Sequence, residues 1–314
     1  MSKTTVAVIF GGCSSEYEIS LLSASSIIRN IPKDKYEIIM LGITKEGHWL
    51  LFNGDVDEIE NGTWEQHSEN RTAFLSPDRG IHGIVMETEY GFSAIRIDVI
   101  FPVLHGKNGE DGTIQGLFQL SGIPFVGCDT LASAVCMDKA VTNILLEAAG
   151  IDQANFMWFY ASDYENVKEQ VKEDIMADLG GYPVFVKPSN AGSSRGVTRA
   201  DNREELIAGL KEAAANDRRM LVEEMIVGRE IECGVFGDGA STKASGVGEI
   251  LAAAEFYDFD AKYYNAESKT VVDPELPNGA TERGREAAVK IFNAVDGYGL
   301  SRVDFFVKAD GTVV

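Results

Sequence analysis

The chain has 314 residues, 45% of them hydrophobic, which suits roughly two or three globular domains with sizeable cores. Its 28 Lys and Arg against 49 Asp and Glu leave a formal net charge of −21, which opposes unspecific binding to nucleic acid or to anionic membrane. No apolar run approaches bilayer-spanning length, the start leads into a strand rather than a secretory segment, and Cys13, Cys128, Cys136 and Cys233 lack any CxxC or histidine spacing. A cytoplasmic protein with reduced thiols, no disulfide framework and no zinc site is expected.

Val6, Ala7, Val8, Ile9 and Phe10 form an apolar run that predicts a buried strand, and the turn Gly11-Gly12-Cys13-Ser14-Ser15-Glu16 follows at once. Ile19, Leu22, Ser23, Ser26 and Ile27 then fall at helical spacing, so the chain opens as strand, glycine turn, helix. The turn is not GxGxxG and carries no dinucleotide fingerprint. Glu16 stands at the helix start, where the helix dipole favours an acid whatever else it does. Residues 36–43 read as a second strand, and 53–89 as a polar, acidic insertion with short strand-like pieces and no evident chemistry. His48, His67 and His82 have no ligand partner at helical or loop spacing and read as solvated or structural. Residues 97–104 predict a strand, 105–113 a loop at the strand end where open α/β sheets bind ligands, 114–121 an amphipathic helix and 123–127 a closing strand.

Residues 129–150 are helical by pattern, with Met137-Asp138-Lys139 in the middle and Leu145, Leu146 and Ala149 on the apolar face. The Glu-rich stretch 163–178 predicts a solvated helix with one packed stripe. An apolar run at 182–186 then ends in Lys187, is stopped by Pro188, and opens into Ser189-Asn190-Ala191-Gly192-Ser193-Ser194-Arg195-Gly196. Glycine lets the backbone approach an anion, serine adds hydroxyl donors, and lysine is a point charge suited to phosphate. A nucleotide phosphate is the ligand this pattern proposes, and a solvated Ser/Gly hairpin is the alternative for the loop taken alone. Residues 202–215 predict a helix, 219–226 a strand, and 228–237 an alternating strand with Glu230 and Glu232 on one face. The aromatic and charged stretch 257–264 reads as part of a long functional loop reaching toward residue 272. Residues 282–296 predict a helix, 300–307 a strand with Arg302, Asp304 and Phe306 on one side, and 309–311 a hairpin turn.

His105-Gly106 through Gly109-Glu110-Asp111-Gly112, Met137-Asp138-Lys139, Val186-Lys187-Pro188 with the 192–196 loop, Ala261-Lys262-Tyr263 and Arg302-Val303-Asp304 occur in an order and spacing that resemble the D-alanine-D-alanine ligases of the ATP-grasp superfamily. The resemblance covers essentially the whole chain. The opening glycine turn and the insertion look like the longer branch of that family, which also holds the D-alanine-D-serine and D-alanine-D-lactate ligases of vancomycin resistance.

The resemblance implies an α/β fold of three domains: a Rossmann-like one at 1–128, a central ATP-grasp subdomain at 129–218 and an α+β C-terminal one at 219–314. ATP would be gripped between the last two. Lys139, Lys187 and Ser194 would contact the nucleotide, with the 192–196 loop as a lid over its phosphates. Glu223, Glu224 and Ile226 would form the adenine-facing hinge, and Glu230 would take the ribose. Lys262 and Tyr263 belong to the family's mobile loop, which a triad of Glu16, Ser193 and Tyr263 closes over the first amino acid; Glu16 and His105 would lie near that substrate. Arg302 would hold the developing oxyanion and the transferred phosphoryl group, and Asp304 would be a ligand of magnesium, with manganese as an alternative ion. Homodimers through the N-terminal domain are the family's usual state.

The chemistry independently asks for such residues. Joining a carboxylate to an amine in water is uphill, so ATP must first phosphorylate the carboxylate, and that step needs charge stabilisation and positioning rather than covalent help. Lys139, Lys187, Lys262, Arg302 and magnesium would supply them, and a closing loop would keep the acyl phosphate dry. A D-alanine-D-serine ligase is the nearest rival reading. The Lys262-Tyr263 pair argues against the lactate-specific form, and retention of the cations argues against a scaffold on a degenerate fold. The family's returning strand carries a Glu-x-Asn pair and a Pro-Gly segment that lie past Val314, so this polypeptide as it stands is expected to be poorly active.

Overall fold

The computed structural model describes residues 3–166, 178–192, 196–251 and 269–314. It divides into two compact units, Met1–Ala134 and Val135–Val314. In the first, β1 (Thr4–Gly11) pairs in parallel with β2 (Tyr36–Ile43) and β7 (Val99–Val103). Strands β3 (Trp49–Phe52), β4 (Arg71–Leu75), β5 (Gly83–Thr88) and β6 (Gly91–Arg96) extend the sheet beyond β2, giving the order β6-β5-β4-β3-β2-β1-β7.

Side chains alternate along β1, and both of its faces are buried. Ala7 and Ile9 join Leu41, Ile100 and Phe118, the last on a helix over Thr113–Ser121 (α3). On the other face Val6, Val8 and Phe10 pack with Tyr17, Leu21 and Ala24 of α1 (Tyr17–Asn30) and with Trp64. The acidic insertion is therefore part of the core: Trp64 lies edge-on to Phe10 at 4.9 Å and to Phe52 at 6.2 Å. A capping box between Asp55 and Glu58 starts its short helix α2 (Val56–Glu60), and Glu58 also meets His67 Nδ1 at 3.0 Å, a structural role for that histidine. The closing strand expected at 123–127 is reduced to a bridge between Ile100 and Phe125, because Pro124 has no amide to give a ladder.

In the second unit β8 (Phe156–Tyr160), β9 (Val184–Pro188), β10 (Thr198–Ala200) and β11 (Arg219–Glu224) form an antiparallel sheet of order β10-β9-β11-β8. Val184, Val186, Met220 and Val222 bury against Leu206, Leu210 and Ala213 of a helix over Arg203–Asn216 (α6), which Asn202 caps. After Glu224 the chain crosses to a second antiparallel sheet, β14-β13-β12-β15, made of β12 (Arg229–Gly237), β13 (Thr242–Leu251), β14 (Lys269–Val272) and β15 (Gly299–Val307). The helix α7 (Ala280–Ala294) packs on it, and the turn after β15 brings Val313 back to Val307.

Three expectations for this unit need correction. The helix read over 129–150 is two, α4 (Thr130–Met137) and α5 (Lys139–Ala148), because Asp138 leaves helical geometry to accept the Val141 amide at 3.2 Å. Ala149 is the exposed C-cap of α5 and not part of its apolar face. Residues 269–272 are a strand paired with β13, where the sequence reads as loop. The 257–264 stretch, most of the 163–178 helix, and Ser193, Ser194, Lys262 and Tyr263 lie outside the described residues. No helix among the described residues is long and apolar enough to cross a membrane.

Candidate active site

Strand β9 buries Val184, Val186 and Pro188, so Phe185 and Lys187 project from the opposite face. Its partner β11 sets Glu223 across from Phe185, two residues along from Leu221, the partner of Lys187, and there Lys187 and Glu223 form an ion pair. Lys139 opens α5, and Asn143 lies one turn further along the same face, giving Glu223 a second partner at 3.3 Å. The Lys139 ammonium donates to the Ala191 carbonyl at 2.5 Å, at the root of the glycine-serine loop.

Two lysines and one carboxylate thus meet beside a helix N-terminus, a setting that favours an anion. Burial, together with the neighbouring Lys187 charge, pushes Lys139 down to about 8. Burial alone would raise the Glu223 carboxyl, but Lys187 and the Asn143 amide outweigh it and hold Glu223 below the usual carboxylate range. Glu223 therefore stays ionised, paired with Lys187 and close enough to Lys139 to offset part of its charge. At the end of β11 the Glu224 amide donates to the Asn155 carbonyl at 3.0 Å and its carboxylate accepts the Asn155 amide at 2.8 Å, while Ile226 follows, half-buried, in the link to β12.

A second group lies on the other sheet. Arg302 and Asp304 share a face of β15, and Arg302 places its fork on Asp304 at 2.8 and 2.9 Å. Across the ladder Glu232 is the direct partner of Asp304 and lies 3.3 Å from Arg302, with Glu230 two residues before it on the same face of β12. These exposed pairs contribute little to stability. No group of three His, Cys, Asp or Glu is placed to hold a metal among the described residues. Magnesium, however, is commonly bound through one or two carboxylates plus substrate phosphates, and the hard oxygens of Asp304 and Glu232 fit that mode.

In the first unit Glu16 is buried at the N-terminus of α1, directly before Tyr17. Gly106 passes so close that a Cβ there would collide with a Glu16 carboxylate oxygen. The preceding His105 has its Nε2 3.3 Å from the Ser23 hydroxyl of α1. The 105–113 loop satisfies its own amides: Glu110 accepts from Gly106 at 2.6 Å, Asp111 from Asn108 and Thr113, and Gln115 donates to the Gly109 carbonyl at 2.8 Å. The loop thus meets α1 at two points, Gly106 against Glu16 and His105 against Ser23.

Two family models match most of the chain. The one described as the D-ala D-ala ligase N-terminus matches residues 5–128, and the one described as its C-terminus matches 145–314. The chain belongs to the D-alanine-D-alanine ligase family. Among curated ligases of that name, the one from Ruminiclostridium cellulolyticum is 50% identical across 99% of this chain and 84% of its own length, and the one from Acetivibrio thermocellus 48% identical across 98% and 84%. Among solved structures, the VanG D-Ala:D-Ser ligase from Enterococcus faecalis superposes with a TM-score of 0.86 at 39% identity, over 100% of this chain and 89% of that one. The D-alanine-D-alanine ligase from Coxiella burnetii gives 0.81 at 29% identity, over 100% and 83%. The fold is that of these ligases, an α/β ATP-grasp architecture with a Rossmann-like N-terminal domain.

Sequence reading placed Ser23 and Glu232 on their elements without joining them to the candidate site, and did not name Asn143. Asn143 carried a signal, a polar residue four positions after Lys139 on a helix. Glu232 became a partner of Asp304 only through strand register, and Ser23 met His105 only through packing.

Proposed function

We propose that the chain joins two D-alanines at the expense of ATP, through an acyl phosphate, supplying D-alanyl-D-alanine for peptidoglycan. The observation that carries this reading is the Lys139, Lys187 and Glu223 cluster at the root of the glycine-serine loop, in a chain of this family. A carboxylate oxygen of the first D-alanine attacks the γ-phosphorus, its bond to the ADP oxygen breaks, and ADP leaves. The amine of the second D-alanine then attacks the acyl carbon, phosphate departs with the carbon–oxygen bonding pair, and the amine proton is lost.

Lys139 and Lys187 would hold the phosphates against the helix N-terminus, with Ser194 and Lys262 as further contacts. The Glu223 to Ile226 segment would read the adenine edge, and Glu230 the ribose. Glu16, with His105 beside it, would receive the ammonium of the first D-alanine, in a triad with Ser193 and Tyr263. Arg302 would give up its fork on Asp304 to hold the oxyanion that develops at the acyl carbon. Magnesium, when bound by Asp304 with Glu232, would neutralise phosphate charge. The three-domain division at 128 and 218, a cytoplasmic site of action and a homodimer belong to the same proposal.

The test is product analysis on the full-length protein with D-alanine, D-serine and D-lactate offered together, alongside ADP release. ADP release that depends on D-alanine, with D-alanyl-D-alanine as main product, supports the reading. D-alanyl-D-serine as main product would favour the second reading, to which the likeness with the VanG ligase points. ATP binding without amino-acid-dependent turnover would refute both.

A further inference from the structure

We infer that Asp138 is a positioning residue of the nucleotide site: together with Arg219 it locks the start of α5 to the stem of the glycine-serine loop and so aims Lys139 at the phosphates. This rests on the reading above that Lys139 contacts ATP. Asp138 is 5% exposed, and both of its oxygens are engaged. Oδ1 accepts the Val141 amide at 3.2 Å and the Ser189 hydroxyl at 2.5 Å; Oδ2 accepts the Asn190 side-chain amide at 3.0 Å and the Arg219 guanidinium.

Ser189, wholly buried at the end of β9, repeats the connection from the other side. Its carbonyl accepts the Lys139 amide at 3.0 Å and its hydroxyl accepts the Ala140 amide at 3.0 Å. The first two amides of α5, which a helix leaves without internal partners, are thus tied to the strand that carries Lys187. Two residues past Ser189, the Ala191 carbonyl receives the Lys139 ammonium. The outer side of the stem is held as well, since the Asn190 amide donates to Asp217 at 2.6 Å and the Ser189 amide to the Arg219 carbonyl at 3.0 Å.

A helix cap uses one oxygen, and Oδ1 supplies it. The second oxygen, given to Asn190 and Arg219, adds nothing to the cap and ties α5 instead to the loop stem and to β11. That division separates a brace from an ordinary N-cap.

Asp138→Asn keeps a side chain that caps helices equally well but sets an amide against Arg219. Measured by calorimetry on the folded full chain, its dissociation constant for ADP should rise roughly tenfold, with the KM for D-alanine unchanged. Arg219→Lys, which keeps a cation at Oδ2, should stay within about twofold of the unmodified chain. In a Lys139→Ala background, Asp138→Asn should add no further loss, because the brace acts through that lysine. Arg219→Met, removing only the outer partner, supplies the same cycle should Asp138→Asn fail to fold. Unchanged ADP affinity in the single variant, or an equal loss with and without Lys139, overturns the inference and leaves Asp138 a structural cap. A full-length protein that binds ADP but shows no D-alanine-dependent turnover overturns the proposed function and leaves the brace intact; one that does not bind ADP overturns both.

Discussion

Nucleotide affinity should weaken as pH rises from 7 to 9, and Lys139 should be the reason. The lysine titrates near 8 in the folded chain. About nine-tenths of it is then charged at pH 7 and about one-tenth at pH 9. Nucleotide phosphates lose their last proton near pH 6, so the ligand's charge is constant over this window. Of the charged groups around the ammonium, namely Lys187, Glu223, Asp138 and Asp217, Glu223 and Asp138 are both held below the usual carboxylate range and stay ionised throughout. If ADP binds the ammonium form, its apparent dissociation constant rises about tenfold between pH 7 and 9. Calorimetric titration at three pH values and constant ionic strength measures this, with Lys139→Arg as the comparison because arginine does not deprotonate there. The empty chain should respond in the opposite sense. Its lysine lies below the unfolded value, so unfolding takes up protons between about pH 8 and 10, and stability against urea should rise across that range. A flat affinity profile, or the same slope in Lys139→Arg, would refute the assignment of this lysine to the phosphates.

Other outcomes test separate parts of the molecule. Glu223→Leu strands the half-buried Lys187 charge and should cost about 3 kcal/mol in urea unfolding; a loss below about 1 kcal/mol would mean that water already screens the pair. Gly106→Ala adds a Cβ against Glu16 at a backbone φ of +66°, and should raise the KM for D-alanine while leaving ADP affinity as it was. Arg302→Lys loses the two-pronged contact with Asp304 and should lower kcat roughly a hundredfold with little change in ADP binding, as rapid-quench turnover would report. Gly42→Ala sets a methyl 2.9 Å from the Phe10 ring and against the wholly buried Trp64, and should lower stability by about 2 kcal/mol in thermal unfolding.

What the sequence made legible is what depends on near neighbours. Residues 36–43 emerge as β2 with the same bounds, and Lys187 stands where an apolar run meets proline and glycine. Alternation placed Glu230 and Glu232 on one face of β12 correctly. The break at Asp138 was hidden because strong helix formers flank it on both sides, and one side-chain bond to Val141 decides the matter. Strand β13 escaped notice because Ala244, Ser245, Gly246 and Gly248 blur its alternation. Contacts set by register or packing, such as Glu232 with Asp304, Asn143 with Glu223 and Ser23 with His105, join residues 72 to 82 positions apart, and no local pattern encodes them.

The passage from β11 to β12 has a mechanical consequence. Five peptide steps separate Glu224 from Arg229, and even pulled straight they reach no further than about 18 Å. Gly228 presses so closely on the Val307 carbonyl, 2.8 Å from where a Cβ would stand, that the strap has little slack to give. The two sheets are therefore joined by a short leash, and their ends at Glu224 and Arg229 can separate by no more than that leash spans.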